Sequence, residues 1–547
     1  MASITEYDGR SSAFTPAAVV VEQVPITLTT SLTQYAIPSG PYMVPTSWRR
    51  THLSTLVNKI ISTTSDPSST GSIPFDFICD SSLLRTTLGE YLESSGLTSE
   101  TTLNLEYVRS TLPPTRLATY EHDDWVSSVD CSYNLSASNI YTTSSYDGSV
   151  RLFSPSKPEE AVYTFSTINK ATVQAAKNVS LTQAKWTLDS NAIVTGGMDG
   201  RVQLWNISEN VDHGTWSSSK KWHGEAHNGP VCAIDVAQGP FGASVLSGGW
   251  DGILAIWDDL PSSSPSSSAD NVIEAESEHE DHDDDDVEQE DEIASKRRKT
   301  TNGRPSKVSS CSKRAPASSS KTGSLDPTMI LYHATPASHS VTGSKNVLHP
   351  SSRITSLLFE TTFSSSDENG GKNPNSAWSA GYNGILKGWD LSSGGSVHTS
   401  LSLPSSTAEV RPILCLTHLA PNSMVAGSVD RAIHIFDIRG GGGGGSLGVG
   451  VKNAHKGAVD VVKAHPLDTH LFASASSASE GIVKVWDSRS CKKALFSLST
   501  TNQGMVQQGI LGLDWSKDGQ ELVAGGKDKK ITVYRGYGIG VSTITLA

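Results

Sequence analysis

Cysteine is scarce: six residues in 547, at Cys79, Cys131, Cys232, Cys311, Cys415 and Cys491, with no CxxC pair and no regular spacing. That argues against a disulfide framework or a zinc site, and the six are expected to be reduced thiols of an intracellular protein. No apolar run approaches the roughly 20 residues of a membrane-spanning helix. The opening MASITEYDGRSS lacks the basic-then-apolar order of a signal peptide. Membrane and secreted classes are therefore not expected. A basic excess is missing too: 43 Lys plus Arg face 56 Asp plus Glu, a net charge of -13. Between Glu274 and Glu292 lie 13 acidic residues and no Lys or Arg, which accounts for the whole imbalance. The rest of the chain is near neutral, so neither a strongly basic nucleic-acid surface nor a global acidic field is expected. HExxH and GxxxxGK[ST] are absent, and the glycine run Gly440–Gly445 has no following Lys and Ser/Thr to cradle a phosphate. No enzyme and no cofactor of its own is expected.

What the chain does have is repetition. A turn residue is followed by alternating apolar and polar positions and ends six residues later on an aromatic, seven times over. The copies are DGSVRLF from Asp147, DGRVQLW from Asp199, DGILAIW from Asp251 and NGILKGW from Asn383. DRAIHIF from Asp430, EGIVKVW from Glu480 and DKKITVY from Asp528 complete the set. Period-two apolarity opening on Asp-Gly or Asn-Gly is the mark of a tight turn feeding a strand. Small residues precede each copy, as in TGGM, LSGGW and SAGY, and upstream strands often follow His or Gly, as at His122, His227 and His455. The closing aromatics are 52, 52, 132, 47, 50 and 48 residues apart, so one interval holds an insertion.

This pattern resembles the WD40 repeat family, whose blades take roughly 40–45 residues each. The resemblance implies a mainly β chain with a seven-bladed propeller over 115–547, closed by Arg116–Glu121. The fourth copy departs furthest, with Asn383 in place of Asp and no clear histidine opening it. The turn residues are read as structural: in such blades they hydrogen-bond across turns and strands, and they lie around a ring instead of converging. From 261 to 327 periodicity stops. PSSSPSSSAD, an acidic run and then KRRK (Lys296, Arg297, Arg298 and Lys299) cannot bury enough apolar surface to fold, and KRRK is expected to act as a nuclear localisation signal.

Ahead of the ring, after a tail over 1–19, residues 20–110 form a separate unit. Pro25–Thr30 and Pro41–Thr46 read as strands, and Leu53, Leu56, Val57, Ile60 and Ile61 fall at helical spacing in Arg50–Ser62. Ile73–Cys79, Leu83–Arg85 and Thr102–Val108 read as further strands, with a second helical turn over Leu88–Ser94. The order suits a small α+β ubiquitin-like roll. With FDFICDSSLLRTTLGEYLESSGL, LNLEYVRSTLPP and EHDDWVSSVDC, the chain resembles the ribosome-biogenesis WD-repeat family of the Pescadillo–Bop complex, which pairs an NLE ubiquitin-like domain with a propeller.

That resemblance implies a scaffold for assembly of the large (60S) ribosomal subunit and rRNA maturation, in nucleolus and nucleoplasm, without membrane attachment. Its partners would be a Bop-type WD protein carrying Pescadillo, the pre-60S particle, and the MIDAS domain of midasin, a ring ATPase. It places on Glu100, in GLTSET, the role of capping the Mg²⁺ that the MIDAS domain supplies. A rival reading rests on WDSR, Trp486 to Arg489, which matches the WDxR motif of substrate receptors of cullin-RING ubiquitin ligases. An adaptor and a cullin would co-purify in that case.

Overall fold

The computed structural model describes residues 22–64, 73–80, 82–110, 113–132, 139–157, 160–167, 180–210, 214–239, 242–260, 324–333, 353–363, 371–403, 410–439, 447–501 and 508–536. The head comprises β1 (Gln23–Thr29), β2 (Tyr42–Pro45), α1 (Arg50–Thr64), β3 (Phe75–Cys79), β4 (Ser82–Leu83), α2 (Leu88–Ser95) and β5 (Leu103–Arg109). Its sheet runs β2-β1-β5-β3-β4. β1 and β5 are parallel and the other pairs antiparallel. In β5, Leu103, Leu105 and Tyr107 are buried while Asn104 is exposed and Glu106 half-buried, the period-two pattern of a half-buried strand. Leu53 and Val57 of α1 are fully buried in the same core, with Ile26, Phe75 and Phe77. Each such side chain contributes about 1.5–3 kcal/mol through burial.

Two local devices fix this unit. Thr87 caps α2 by accepting from Glu90 N while the Glu90 side chain accepts from Thr87 N. That reciprocal pair satisfies donors a helix start leaves orphaned. β3 begins at Phe75, two residues later than the alternation predicts. The reason is Asn58 of α1, whose side-chain amide donates to Ile73 O at 2.6 Å and accepts from Ile73 N at 3.0 Å. Ile73 thus finds its backbone partners on the helix rather than on a strand.

The strands that follow form seven four-stranded sheets, over 126–166, 181–225, 231–332, 354–402, 413–451, 461–499 and 510–535 with Thr115–Glu121. The inner strands touch in cyclic order, the last against the first. Thr115–Glu121 pairs antiparallel with Lys530–Arg535, so the beginning of the ring is hydrogen-bonded to its end. Closure of this kind leaves few exposed sheet edges. In blades one to four the turn glycines Gly148, Gly200, Gly252 and Gly384 take φ of 79°, 82°, 77° and 70°. Blades five and seven place Arg431 (φ 65°) and Lys529 (φ 60°) in the same left-handed region, where a Cβ is unfavourable.

Two expectations change. The insertion ends sooner than Pro327: Ser324 already bridges His223, Leu325 N donates to His223 O at 3.0 Å, and Thr328 N donates to Ile256 O at 2.7 Å. Leu325 packs into the core between blades two and three, which pulls the chain back before Met329–Tyr332 completes blade three. Blade four also has its histidine. His333, far upstream of the blade's first strand, donates from Nε2 to Asn383 Oδ1 (3.2 Å) and accepts at Nδ1 from Ser379 Oγ (2.7 Å). The tail 1–19, residues 261–323 with Lys296, Arg297, Arg298 and Lys299, and Gly440–Gly445 lie outside the described residues.

Candidate functional site

The seven turn residues sit around the ring and are engaged locally. Asp147, Asp199, Asp251, Asn383, Asp430 and Asp528 each accept from the backbone N–H two residues on, at 2.8–3.2 Å. Asp251 also accepts from Asn228 N at 2.9 Å. Glu480, one methylene longer, reaches instead to Lys456 N at 3.1 Å and His455 Nδ1 at 3.0 Å. In blade three His227 and the Trp257 indole share Ser247 Oγ, at 2.9 and 3.0 Å. His455, Ser474 and Trp486 repeat that arrangement in blade six. Burial pushes His122 and His333 down to about 4, so both are neutral spacers at neutral pH.

The ring encloses a channel of about 940 Å³ lined by its inner strands. Asp235 sits in it, with its side chain 1 % exposed, between Lys185 at 2.6 Å and Lys372 at 2.5 Å. Its second oxygen accepts from Phe359 N at 2.8 Å. Burial alone would raise this carboxyl, but the two lysines outweigh it and hold it well below the usual carboxylate range. Burial works against both lysines as well. Lys185, with Asp130 and Asp514 near it, is held up; Lys372, near Lys463, is pushed down. These charges are satisfied by one another, and among the described residues no three His, Cys, Asp or Glu side chains gather to hold a metal ion.

Glu100 is the contrast. α2 ends at Gly96 in the left-handed region (φ 66°), with Leu97 N donating back to Leu92 O at 2.9 Å. The loop then turns tightly, Thr101 N donating to Thr98 O at 3.1 Å, and enters β5 at the buried Leu103. Glu100 rides on that turn, exposed. Among the described residues its carboxylate has no ion pair and no side-chain hydrogen bond. The arrangement offers one hard oxygen donor on a clamped support, enough to complete another protein's metal shell but not to build one.

Sequence reasoning had no means of finding how the head sits on the ring. Leu83 N donates to Ser490 Oγ at 2.9 Å, and Arg85 donates to Ala494 O and Leu495 O, both at 3.3 Å. Lys492 Nζ donates to Ser82 Oγ at 3.2 Å. The β4 edge of the head therefore lies on blade six. Arg489 forks onto Asp487 (2.8 Å) and reaches Glu106 of the head at 3.5 Å.

Comparison with known proteins agrees with this anatomy. Residues 24–92 match the NLE (NUC135) domain, and 114–154, 170–206, 218–258 and 497–535 match the WD domain, G-beta repeat. The fold and these matches define a WD-repeat protein with an NLE ubiquitin-like head. Over 97 % of its length the chain is 26 % identical to Ribosome biogenesis protein ytm1 of Aspergillus oryzae, covering 98 % of that protein. It is 27 % identical to Ribosome biogenesis protein YTM1 of Coprinopsis cinerea over 89 % of each chain, and 26 % identical to the Schizosaccharomyces pombe protein over 95 % of this chain and 98 % of that one. These matches over most of the chain support the resemblance to WD proteins of the Pescadillo–Bop type. No helix among the described residues is long and apolar enough to cross a membrane.

Proposed function

We propose that this chain, with a role in ribosome biogenesis shared with its relatives, is a non-enzymatic assembly factor of the pre-60S particle, acting in nucleolus and nucleoplasm. Its ring binds a Bop-type WD protein that carries Pescadillo. Its head binds the MIDAS domain of midasin, and the force of that ATPase removes the factor from the particle. The observation that carries this reading is Glu100, the exposed, unengaged carboxylate on a clamped turn of the NLE head. Mg²⁺ takes oxygen ligands at about 2.1 Å in a near-octahedral shell and commonly uses one or two carboxylates. A single Glu presented by a stiff loop can fill one open position on a metal held by the partner.

Glu100→Asp withdraws the carboxylate by one methylene. The expected outcome is loss of MIDAS binding in a pull-down with Mg²⁺ present, with the Bop-type protein still retained. Undiminished MIDAS binding would end the assignment. The ligase-receptor reading loses support because Arg489, the residue an adaptor would need, is turned onto Asp487 and Glu106.

A further inference from the structure

One repeat position has no structural duty that fixes its identity. In six blades the residue just before the turn Asp or Asn donates its backbone N–H to the carbonyl that precedes the inner strand. The pairs are Tyr146 to Trp125, Met198 to Ser180, Trp250 to Pro230, Tyr382 to Arg353, Val429 to Pro412 and Lys527 to Gly509, at 2.9–3.2 Å. The shared bond puts all six on one face of the ring. That shared bond uses only the backbone, although Lys527 also donates from its side chain to Ser477 O at 2.9 Å and Tyr146 packs edge-on against Trp125. Yet five of the six are aromatic or apolar, and Tyr146, Met198 and Trp250 line the channel mouth.

These side chains are not buried by the chain. Trp250 is 38 % exposed and Val429 44 %, and on the same face Trp125, against Tyr146, is 43 % and Val410 59 % exposed. Cations are stacked into the patch. Arg353 lies 4.7 Å from the Trp250 ring centroid and 6.0 Å from that of Tyr382, and Lys527 lies 5.5 Å from that of Trp125. Among the described residues Arg353 has neither an ion pair nor a side-chain hydrogen bond. An exposed indole beside a guanidinium that lacks a counter-charge is the composition of an interface hot spot.

We infer that this face, from Trp125 across Trp250 and Arg353 to Val429, is the surface by which the ring grips a folded protein partner. That partner presents a carboxylate to Arg353, flanked by apolar side chains that cover Trp250 and Val429. The charge layout selects protein over RNA. Asp199 is exposed on the same face in blade two, where a phosphate backbone would be repelled, while Arg353 and Arg431 lie on blades four and five; Asp123 is already paired with Arg151 and Arg411 with Asp430. A protein with the opposite distribution of charge fits both ends. The opposite face also exposes apolar groups, Leu188 and Leu467, but in separate blades around a mouth of paired charges. The inference rests on the reading that the ring binds a protein, and it adds which face does so.

The test is titration calorimetry of the full chain against the purified Bop-type WD protein, with melting curves verifying that each variant is folded. Trp250→Ala and Arg353→Glu are each expected to weaken binding by about tenfold or more, as truncation of hot-spot residues does. Val429→Asp gives a third, independent probe of the apolar end. Leu188→Ser and Leu467→Ser, on the far face, are expected to bind as the unaltered chain does. If the unaltered chain binds and the Trp250, Arg353 and Val429 variants bind equally well, the face is wrong and the partner reading survives. If the far-face variants weaken binding instead, the face is likewise wrong. If the unaltered chain does not bind, the partner reading falls and this inference with it. Loss of single-stranded RNA binding by Trp250→Ala, with protein binding intact, would make the patch an RNA platform and overturn the proposal.

Discussion

Carboxylates in the ring and in the head are used in opposite ways. Asp235 is surrounded by two ammonium groups and a backbone amide, and Asp251 by two backbone amides and His227. Among the described residues the Glu100 carboxylate has no ion pair and no side-chain hydrogen bond. A saturated buried acid holds a fold together and has no capacity left for a partner, whereas an exposed acid on a clamped turn adds nothing to the fold and is available. The same contrast divides the ring's own surface. The turn acids are consumed by their turns, while Arg353 and Trp250 one turn away are left over. Chemistry available to partners is found where polar and aromatic groups remain unsatisfied after the fold has closed.

The comparison breaks most sharply at the channel. Asp235→Ala leaves the half-buried Lys185 and Lys372 without their shared anion, and the ring is expected to lose about 1–3 kcal/mol, read as a lower denaturation midpoint. Acid should act first through buried histidines of the blade turns. His122 and His333 are neutral in the folded chain, with values pushed by burial from 6.5 to about 4. The unfolded chain therefore binds more protons than the folded one between those limits, so stability is full above about pH 6.5 and falls as pH drops toward 4. Asp235, held low, removes more below its ordinary 3.8. Thermal melts across pH 8 to 4 check this, and a flat profile would contradict it. Arg431→Gly and Lys529→Gly relieve a left-handed residue each and should stabilise by roughly 0.5–1 kcal/mol, the net of relaxed strain and the greater freedom of an unfolded glycine. Glu100→Ala belongs at the bottom of the stability scale, within about 0.5 kcal/mol of the unaltered chain, although it should abolish MIDAS binding.

Legibility followed the range of the interactions. The seven turn-and-strand closures could be read because a tight turn and period-two burial are set by a handful of consecutive residues. The head's strands and helices were legible for the same reason; β3 was misplaced by two residues where Asn58, 15 positions away, took over Ile73's backbone, and the fourth strand, expected over Leu83–Arg85, lies at Ser82–Leu83. His333 was missed because 334–352 separates it from the strand it serves, so no local pattern joins them. The seat of the head on blade six depends on contacts about 400 residues apart in sequence and left no local signal. Glu100 was named from family resemblance, since an acid in a loop carries no distinguishing mark of its own.

The amino-acid sequence by itself determined the repeat, its register and the separate NLE head, because each is written in neighbouring residues or in composition. Only the tertiary structure decided which acids are spent and which are free, where the head rests, and that the residues before the turn Asp or Asn share one face. Those properties depend on what closes around a side chain in space, and ring closure brings together groups from all seven blades that the linear order keeps far apart.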